Sequence, residues 1–177
     1  MRLFIAINIP LEIKKKLVDI TKELIKFGKV SNVKKANIHI TIKFLDEVED
    51  KNIDELKNRL RKIKFNCFNL KLNSFGVFPN INFIKVIWAG LEDSLELRKL
   101  HDKVEGALAG LFDKDDKFAE HVTISRVKFV KDRDKLIGFL KKVRFNDKFE
   151  VNNFSLIKSE LSKDGSKYTV LERYNLE

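Results

Sequence analysis

Apolar residues recur along the chain at strand spacing in some segments and at helical spacing in others. The opening run RLFIAINI is rich in strand formers and ends at Pro10, which predicts a buried strand. Residues 10–28 then carry apolar side chains near the helical period, with a proline at the entry and a glycine at the exit, and predict a helix. The run NIHITIKFL, residues 37–45, predicts the next strand.

The rest of the chain continues this mixed order. Helical spacing recurs in residues 50–64, 94–112 and 132–143, and Ser94 can cap the second of these helices. Strand patterns occur in FNLKLNSFGVFP and FIKVIWAGL, joined by a turn at PNIN, and in HVTISRVKF. FEVNNFSLIKSEL and KYTVLERYNL predict a closing hairpin around the turn KDGS. The fold class is therefore α+β, and because no flexible linker interrupts the sequence we expect the two halves to share one sheet system.

Composition narrows the class of protein. The chain has 177 residues, enough for a single domain with a sizeable core, and its lone Cys67 cannot form an intramolecular disulfide. It has neither a recognisable secretory signal nor an apolar run approaching ~20 residues, so we expect a soluble, cytoplasmic protein that does not span a membrane. A formal net charge of +10 favours RNA, DNA or phosphorylated small molecules as ligands. The alternative is that the lysine-rich helices only keep the protein soluble.

Two matched tetrapeptides hold the candidate chemistry. The first motif is HITI (His39, Ile40, Thr41, Ile42), and the second is HVTI (His121, Val122, Thr123, Ile124). Side chains alternate across a strand, so each histidine shares a face with its threonine while the aliphatic residues point to the other face. The simplest alternative is that both pairs are ordinary exposed strand positions. Random placement of three histidines and four threonines predicts far fewer than two such pairs, which favours a functional groove.

Two histidines on separate strands suit in-line displacement at phosphorus. One can take a proton from the nucleophile while the other delivers a proton to the leaving group, because these two oxygens lie on opposite sides of phosphorus. Histidine can serve either role near neutral pH, and two threonine hydroxyls can donate to the non-bridging oxygens. This chemistry needs no metal and no cofactor.

Other residues near the motifs are more ambiguous. Arg126 suits phosphate binding, but strict alternation puts it opposite His121, so a phosphate role requires the strand to end, to bulge or to let the side chain curl around. Lys43 shares the His39 face on the same alternation and could add positive charge to the groove. A zinc site would need a third ligand, and His101, within a helical stretch, is better interpreted as a surface or interface residue.

The paired HITI and HVTI, the wider runs NIHITIKFLDEV and HVTISRVK, the start RLFIAINIP, and FGVFP before VIWAGL resemble the two-histidine (2H) phosphoesterase superfamily. Within it the chain is most similar to the LigT/ThpR family of RNA 2′,3′-cyclic phosphodiesterases, also called RNA 2′,5′-ligases. The resemblance extends to the terminal hairpin and so spans nearly the whole chain. It implies one LigT-like domain over residues 1–177, built from two pseudo-symmetric lobes whose antiparallel sheets, flanked by helices, form a central cleft.

The resemblance also implies roles for the residues. His39 would be the proton donor to the departing 3′ oxygen and His121 the proton acceptor that activates water, while Thr41, Thr123 and Arg126 would bind the phosphate. The substrate would be RNA with a 2′,3′-cyclic phosphate end, tRNA halves included, and we expect a monomer without an obligatory protein partner. The ligase direction at the same site and a non-catalytic RNA-binding module remain as alternatives.

Two positions depart from the pattern of the family. Asp46 stands where relatives often have glycine, and Glu120 stands where proline often precedes the second histidine. Both could alter the geometry of the cleft rim. Neither changes the four motif residues, so these departures bear on the range of substrates more than on the chemistry.

Overall fold

The computed structural model of the chain describes residues 1–163 and 165–177. Within these residues it contains four α-helices: α1 (Leu11–Leu24), α2 (Ile53–Arg61), α3 (Leu95–Leu108) and α4 (Arg133–Lys142). The strands are β1 (Arg2–Asn8), β2 (Gly28–Asn32), β3 (His39–Glu47), β4 (Phe68–Asn80), β5 (Phe83–Leu91), β6 (His121–Val130), β7 (Asp147–Val151), β8 (Asn153–Ser162) and β9 (Gly165–Asn175). None of the helices within the described residues is long and apolar enough to cross a membrane.

Most predicted elements are confirmed, and the differences have local causes. The helix predicted over residues 10–28 ends at Leu24, continues as one 3₁₀ turn, and is followed by β2, a short strand that sequence reasoning missed. Its sequence GKVSN lacks an apolar run because β2 is an edge strand with exposed residues. The segment predicted as one strand over residues 149–161 divides into β7 and β8. The predicted KDGS turn includes Asp164, which lies outside the described residues.

Two antiparallel sheets form the structure. One has four strands in the order β3-β1-β8-β9, and the other has five in the order β2-β6-β5-β4-β7. The α+β fold class is confirmed, but the expectation of one shared sheet system was wrong. Each sheet instead combines strands from the beginning and the end of the chain, because β8 pairs with β1 and β7 pairs with β4. Each sheet contributes one motif strand, and the two motif strands, β3 and β6, contact each other.

The helices lie on the outer faces of the sheets. Helices α1 and α4 pack against strands of the five-stranded sheet, while α2 and α3 pack together and against strands of the four-stranded sheet. The aliphatic motif residues face these helices and are fully buried. Because one face of each motif strand is sealed in the core, the histidine-threonine faces are left to line the space between the sheets. The buried aliphatic residues of the two motifs are Ile40, Ile42, Val122 and Ile124.

A β-bulge interrupts each motif strand at its fourth motif residue. In β3, Thr41 pairs with Ala6 and Lys43 pairs with Ile5, so Ile42 is an extra residue. In β6, Thr123 pairs with Trp88 and Ser125 pairs with Ile87, so Ile124 is the extra residue. A bulge of this kind shifts the alternation by one position. Counted from the histidine, the fifth residue of each strand (Lys43 or Ser125) therefore points into the core. The sixth residue (Phe44 or Arg126) points toward the cleft.

This shift overturns the expectation that Lys43 shares the His39 face. Lys43 is buried, with 1% of its surface exposed, and its Nζ donates to Glu105 Oε1 at 2.7 Å, Asp113 O at 2.8 Å and Asp115 Oδ1 at 3.0 Å. Burial alone would lower the pKa of Lys43, but the hydrogen bonds and charges of the two carboxylates outweigh burial and raise it. The ion pair ties β3 to α3 and to the loop that leads to the second motif.

His101 also lies elsewhere than expected. It is buried on α3, where its ring stacks on Phe118 with centroids 4.2 Å apart, so the surface position allowed by its interpretation as a surface or interface residue was wrong. Asp46, for which the resemblance suggested a glycine in relatives, has a φ of 48°. Aspartate tolerates this left-handed conformation better than most residues, which explains how it can replace a glycine there.

We expect Lys43→Met to lower the free energy of unfolding by roughly 3 kcal/mol, because it leaves Glu105 charged and buried without its main partner. Urea denaturation measures the free energy of unfolding of Lys43→Met, Glu105→Gln and the double variant. Together with the wild type they form a double-mutant cycle that gives the interaction energy of the two side chains. The double variant should lose clearly less stability than the sum of the single losses. Strictly additive losses would show that the two side chains do not stabilise each other.

Candidate active site

The two motif strands open onto one cleft with a volume of about 320 Å³. His39, Thr41, His121, Thr123 and Arg126 all line it, so the structure brings together the five residues that the sequence singled out. Strands β2, β3, β8 and β9 and the connection between β2 and β3 supply the rest of the lining, which is Ser31, Asn32, Val33, Lys34, Asn37, Phe44, Leu161, Gly165, Ser166 and Tyr168.

Hydrogen bonds fix the His39 ring. Its Nδ1 lies 2.7 Å from the carbonyl oxygen of Asn37, which can only accept, so Nδ1 carries a proton. In the neutral ring Nε2 is then an acceptor, and it receives a hydrogen bond from Thr41 Oγ1 at 3.0 Å. Phe4 and Tyr168 flank the ring at centroid distances of 4.9 and 5.5 Å. The reactive nitrogen, Nε2, is therefore the one beside the threonine.

His121 is held in the same way by the other lobe. Its Nδ1 donates to the carbonyl oxygen of Ala119 at 2.8 Å, the residue two positions before it, just as His39 bonds to Asn37. The ring of Phe78 meets His121 edge to face with centroids 5.0 Å apart, and Trp88 packs behind Phe78. Gly76 allows this packing, because a Cβ at that position would lie 2.2 Å from the Trp88 indole. Both histidines thus expose Nε2 from a fixed ring.

The surroundings favour the neutral form of both rings in the free protein. Burial lowers the pKa of His39 to about 4, against the opposing hydrogen bond to Asn37. The charge of Lys14, and that of His121 when its ring is protonated, lower this pKa further. Burial also lowers the pKa of His121, although its bond to Ala119 opposes this. At pH 7 both Nε2 atoms are therefore ready to accept a proton. A proton-donor role for either ring requires an anion nearby to raise its pKa.

Arg126 reaches the cleft because of the bulge in β6. Strict alternation would put it opposite His121, but the extra residue Ile124 returns Arg126 to the face of His121 and Thr123. Ser125 takes the buried position instead and donates to Asn32 Oδ1 at 2.8 Å. Among the described residues no carboxylate lies within ion-pair distance of Arg126, so its guanidinium is available to an anion.

Sequence reasoning missed several cleft residues. The bulge in β3 delivers Phe44 to the cleft at the position that corresponds to Arg126. Tyr168 comes from β9, far along the chain. Lys14 does not line the cleft; it is buried on α1 and donates to Asn8 Oδ1 at 2.7 Å. Asn8 pairs with His39 across the sheet. Only the register of the strands, which is not readable from one sequence, brings these residues to the site.

One group within the described residues has the ligand types of a metal site, namely His101, Glu105 and Asp115. It does not line the cleft. The ammonium of Lys43 already lies within 3.0 Å of both carboxylates and neutralises their charge. His101 Nε2 has no hydrogen-bond partner within the described residues. A positively charged lysine at the centre of this group disfavours a metal ion there.

Comparison with known proteins identifies the family. The LigT-like phosphoesterase family model matches residues 7–88, which include the first motif. An RNA 2′,3′-cyclic phosphodiesterase of Methanocaldococcus jannaschii is 35% identical over 177 residues, covering 98% of this chain and 100% of the relative. The chain belongs to the LigT-like phosphoesterase family. An RNA 2′,3′-cyclic phosphodiesterase of Archaeoglobus fulgidus is 32% identical and covers 95% of this chain and 96% of its own.

The fold of the LigT-like family extends over both lobes. The crystal structure of a Thermus thermophilus protein, TT0787, superposes with a TM-score of 0.87 at 26% identity, covering 99% of this chain and 97% of that one. The family model ends at residue 88, before His121, so full-length similarity is what includes the second motif. Membership in the LigT-like family thus agrees with the two-lobed architecture that the resemblance implied.

We expect His39 to titrate with a pKa of about 4 in the free protein, because its ring is buried. Proton NMR of the ring Cε1–H, assigned by its loss in His39→Asn, measures this directly. Addition of inorganic phosphate should raise the pKa, since an anion in the cleft stabilises the imidazolium. A His39 pKa near the ordinary 6.5 in the free protein, unmoved by phosphate, would contradict this electrostatic description.

Proposed function

We propose that this LigT-like phosphoesterase hydrolyses RNA 2′,3′-cyclic phosphate ends to 2′-phosphomonoesters by metal-independent catalysis with two histidines. The observation that carries the proposal is that two histidines, each with Nδ1 fixed by a carbonyl oxygen two residues earlier, line one cleft with their threonines. The names of the M. jannaschii and A. fulgidus relatives support the same activity.

The proposed reaction is an in-line displacement. His121 Nε2 accepts a proton from water as the water oxygen forms a bond to phosphorus, and the bond from phosphorus to the 3′ oxygen breaks. His39 Nε2 delivers a proton to that departing oxygen. The products are a 3′ hydroxyl and a 2′-phosphomonoester. His39 takes up its proton from solvent as the anionic substrate binds, and His121 releases the accepted proton to solvent after the reaction. Both rings thus return to their starting protonation states, and no cofactor is consumed.

The anionic substrate itself prepares His39 for the donor role. The free cleft holds this ring neutral, and the cyclic phosphodiester brings a negative charge beside Nε2 that favours the imidazolium. Burial also lowers the pKa of His121, and this ring must stay neutral to accept the proton. The phosphate must therefore lie so that its charge acts more strongly on His39 than on His121.

The phosphoryl oxygens have three proposed donors. Thr41 and Thr123 are the hydroxyl groups beside the two histidines, and Arg126 is the cation on the same face. Hydrogen bonds from such groups stabilise the negative charge that grows on the non-bridging oxygens. Thr41 Oγ1 donates to His39 Nε2 in the free site, and protonation of that ring releases the hydroxyl to donate to the substrate instead.

The proposed substrate is RNA, tRNA halves included, and the proposed setting is the cytoplasm. The net charge of +10 supports attraction of a polyanion. The proposed groups all lie on one chain, so the proposed chemistry needs no residue from a partner. The proposed form is a monomer of one LigT-like domain without an obligatory protein partner. Ligation is the reverse of transesterification at the same groups, and the names of the relatives favour hydrolysis over this direction.

The test is incubation, with EDTA present, of a short RNA that ends in a 2′,3′-cyclic phosphate. We expect conversion to a 2′-phosphate, resolved from the 3′-phosphate by ion-exchange chromatography. His39→Ala and His121→Ala should each lower the rate by roughly 10²-fold or more, the scale of lost general acid or base catalysis. The matched control is His101→Gln, which changes a histidine outside the cleft.

Three outcomes would overturn the proposal. Wild-type rates in both motif variants would exclude histidine catalysis, and a 3′-phosphate product would exclude the proposed leaving group. Unchanged RNA that binds in a salt-dependent way would indicate the non-catalytic RNA-binding module. Addition of an RNA with a 5′ hydroxyl shows whether the ligase direction operates at the same site.

A further inference from the structure

The five-stranded sheet carries a second group of residues beyond Arg126 on the cleft side. In β5, Lys85 is an extra residue between Ile84 and Val86, which pair with Pro79 and Phe78 of β4. Ile84 is buried, whereas Lys85 and Phe83 are exposed and therefore lie on the other face. That other face is the cleft side, because Val86 lies on it and pairs with Arg126.

Strand β6 repeats this arrangement. Lys128 is an extra residue between Val127 and Phe129, which pair with Val30 and Lys29 of β2. Val127 is buried, and Lys128 and Phe129 are exposed on the opposite face, the face of Arg126. We define the basic-aromatic tract as Phe83, Lys85, Lys128 and Phe129. These four residues border one surface depression, and Phe129 lies roughly 10 Å along the strand from Arg126.

The lysines of the tract have no ion-pair partners within the described residues. The two nearby acidic residues are already occupied: Asp132 caps α4 and pairs with Lys135 at 3.0 Å, and Asp134 lies 3.5 Å from Arg133. Many other lysines of the chain, such as those of α1, pair with a carboxylate one turn away. The tract therefore presents uncompensated positive charge directly beside the cleft.

The phenylalanines of the tract are unusually open to solvent. Phe83 is 57% exposed and Phe129 is 63% exposed, although both lie in strands whose alternate residues are buried. The ammonium of Lys85 lies 4.5 Å from the centroid of the Phe83 ring. Exposed rings interleaved with cations are the combination on which single-stranded nucleic acids bind, because bases stack on the rings and phosphates pair with the cations.

We propose that the basic-aromatic tract binds the nucleotides on the 5′ side of the RNA end that the cleft holds. This inference rests on the proposed function and specifies oligonucleotides as the substrates that bind more tightly than cyclic mononucleotides. A 2′,3′-cyclic phosphate closes the 3′ end of an RNA, so the chain must leave the cleft from the 5′ side of the terminal nucleoside. The tract lies next to Arg126 and offers that chain charge complementarity and stacking surfaces.

The test compares two substrates that share a terminal nucleoside: adenosine 2′,3′-cyclic phosphate and a short RNA that ends in it. The variant Lys85→Gln/Lys128→Gln should raise KM for the RNA about fivefold or more. Its kcat for the RNA should stay within about twofold of wild type, as should both kcat and KM for the mononucleotide. The matched control, Lys99→Gln/Lys142→Gln, removes the same charge from positions on α3 and α4 outside the tract. It should behave as wild type on both substrates.

Salt dependence and stacking provide two independent readouts. Loss of two phosphate contacts should reduce the slope of log kcat/KM for the RNA against log salt by about 1.4, whereas the control should leave that slope unchanged. The variant Phe83→Ala/Phe129→Ala should also raise KM for the RNA about fivefold or more, without altering the salt slope. Circular dichroism verifies that each variant is folded.

Equal effects on the mononucleotide and the RNA, or equal effects of the tract variant and its control, would overturn the inference. If the wild-type protein hydrolyses neither substrate, the proposed function fails while the tract can still be tested. Fluorescence anisotropy with a labelled RNA that ends in a 3′-phosphate then decides. An affinity for this RNA that falls in the tract variant but not in the control supports RNA binding by the tract. Equal affinities of the tract variant and the control overturn it.

Discussion

One extra residue in each motif strand is the constraint on which the site depends. Strict alternation would put Arg126 in the core and Lys43 in the cleft. The bulge at Ile124 instead turns Arg126 to the cleft, and the bulge at Ile42 turns Lys43 into the core. Because both bulges fall at the fourth motif residue, the histidine, the threonine and the sixth residue of each strand face the same cleft. The sixth residue is Arg126 in one lobe and Phe44 in the other. The two lobes are therefore alike in backbone and different in chemistry.

The residue that each bulge turns inward supports the site from behind. In β6 this residue is Ser125, whose hydroxyl donates to Asn32 and so anchors the edge strand β2. In β3 it is Lys43, whose ammonium bonds to α3 and to the loop before the second motif. A buried charge is stable only when its partners are fixed. Lys43 therefore couples the position of β3 to that of the loop that leads to β6. Ala119, which orients His121, lies at the end of that loop.

Much of the fold was predictable from the sequence because its signals are local. The helical period in α1 to α4 and the apolar runs of the central strands identify those elements, and the duplicated motif identifies both histidines. The missed features depend on partners that are distant along the chain. Strand β2 has no apolar pattern because it lies at a sheet edge, and β7 and β8 separate only because they join different sheets.

The same limit explains the errors at the site. The bulges that redirect Lys43 and Arg126 are set by pairing with β1 and β5. Alternation therefore put Lys43 on the wrong face, and it left a cleft position for Arg126 dependent on an irregularity such as the bulge that the structure shows. His101 lies in a helical stretch rich in charged residues, yet Phe118 and the Lys43 network cover it. Phe44 and Tyr168 carried no local signal. By contrast, the shared Nδ1 hydrogen bonds of His39 and His121 are local, because each accepting carbonyl lies two residues before its histidine.

A crystal structure with uridine 2′-phosphate, which reproduces the terminal nucleotide of the proposed product, tests the central claim most directly. The phosphate should lie between the motifs, with His39 Nε2 and His121 Nε2 on opposite sides of phosphorus. Thr41, Thr123 and Arg126 should contact its oxygens. A phosphate that contacts only one motif, or that lies outside the cleft, would contradict the account that the two bulged strands form a single in-line catalytic site.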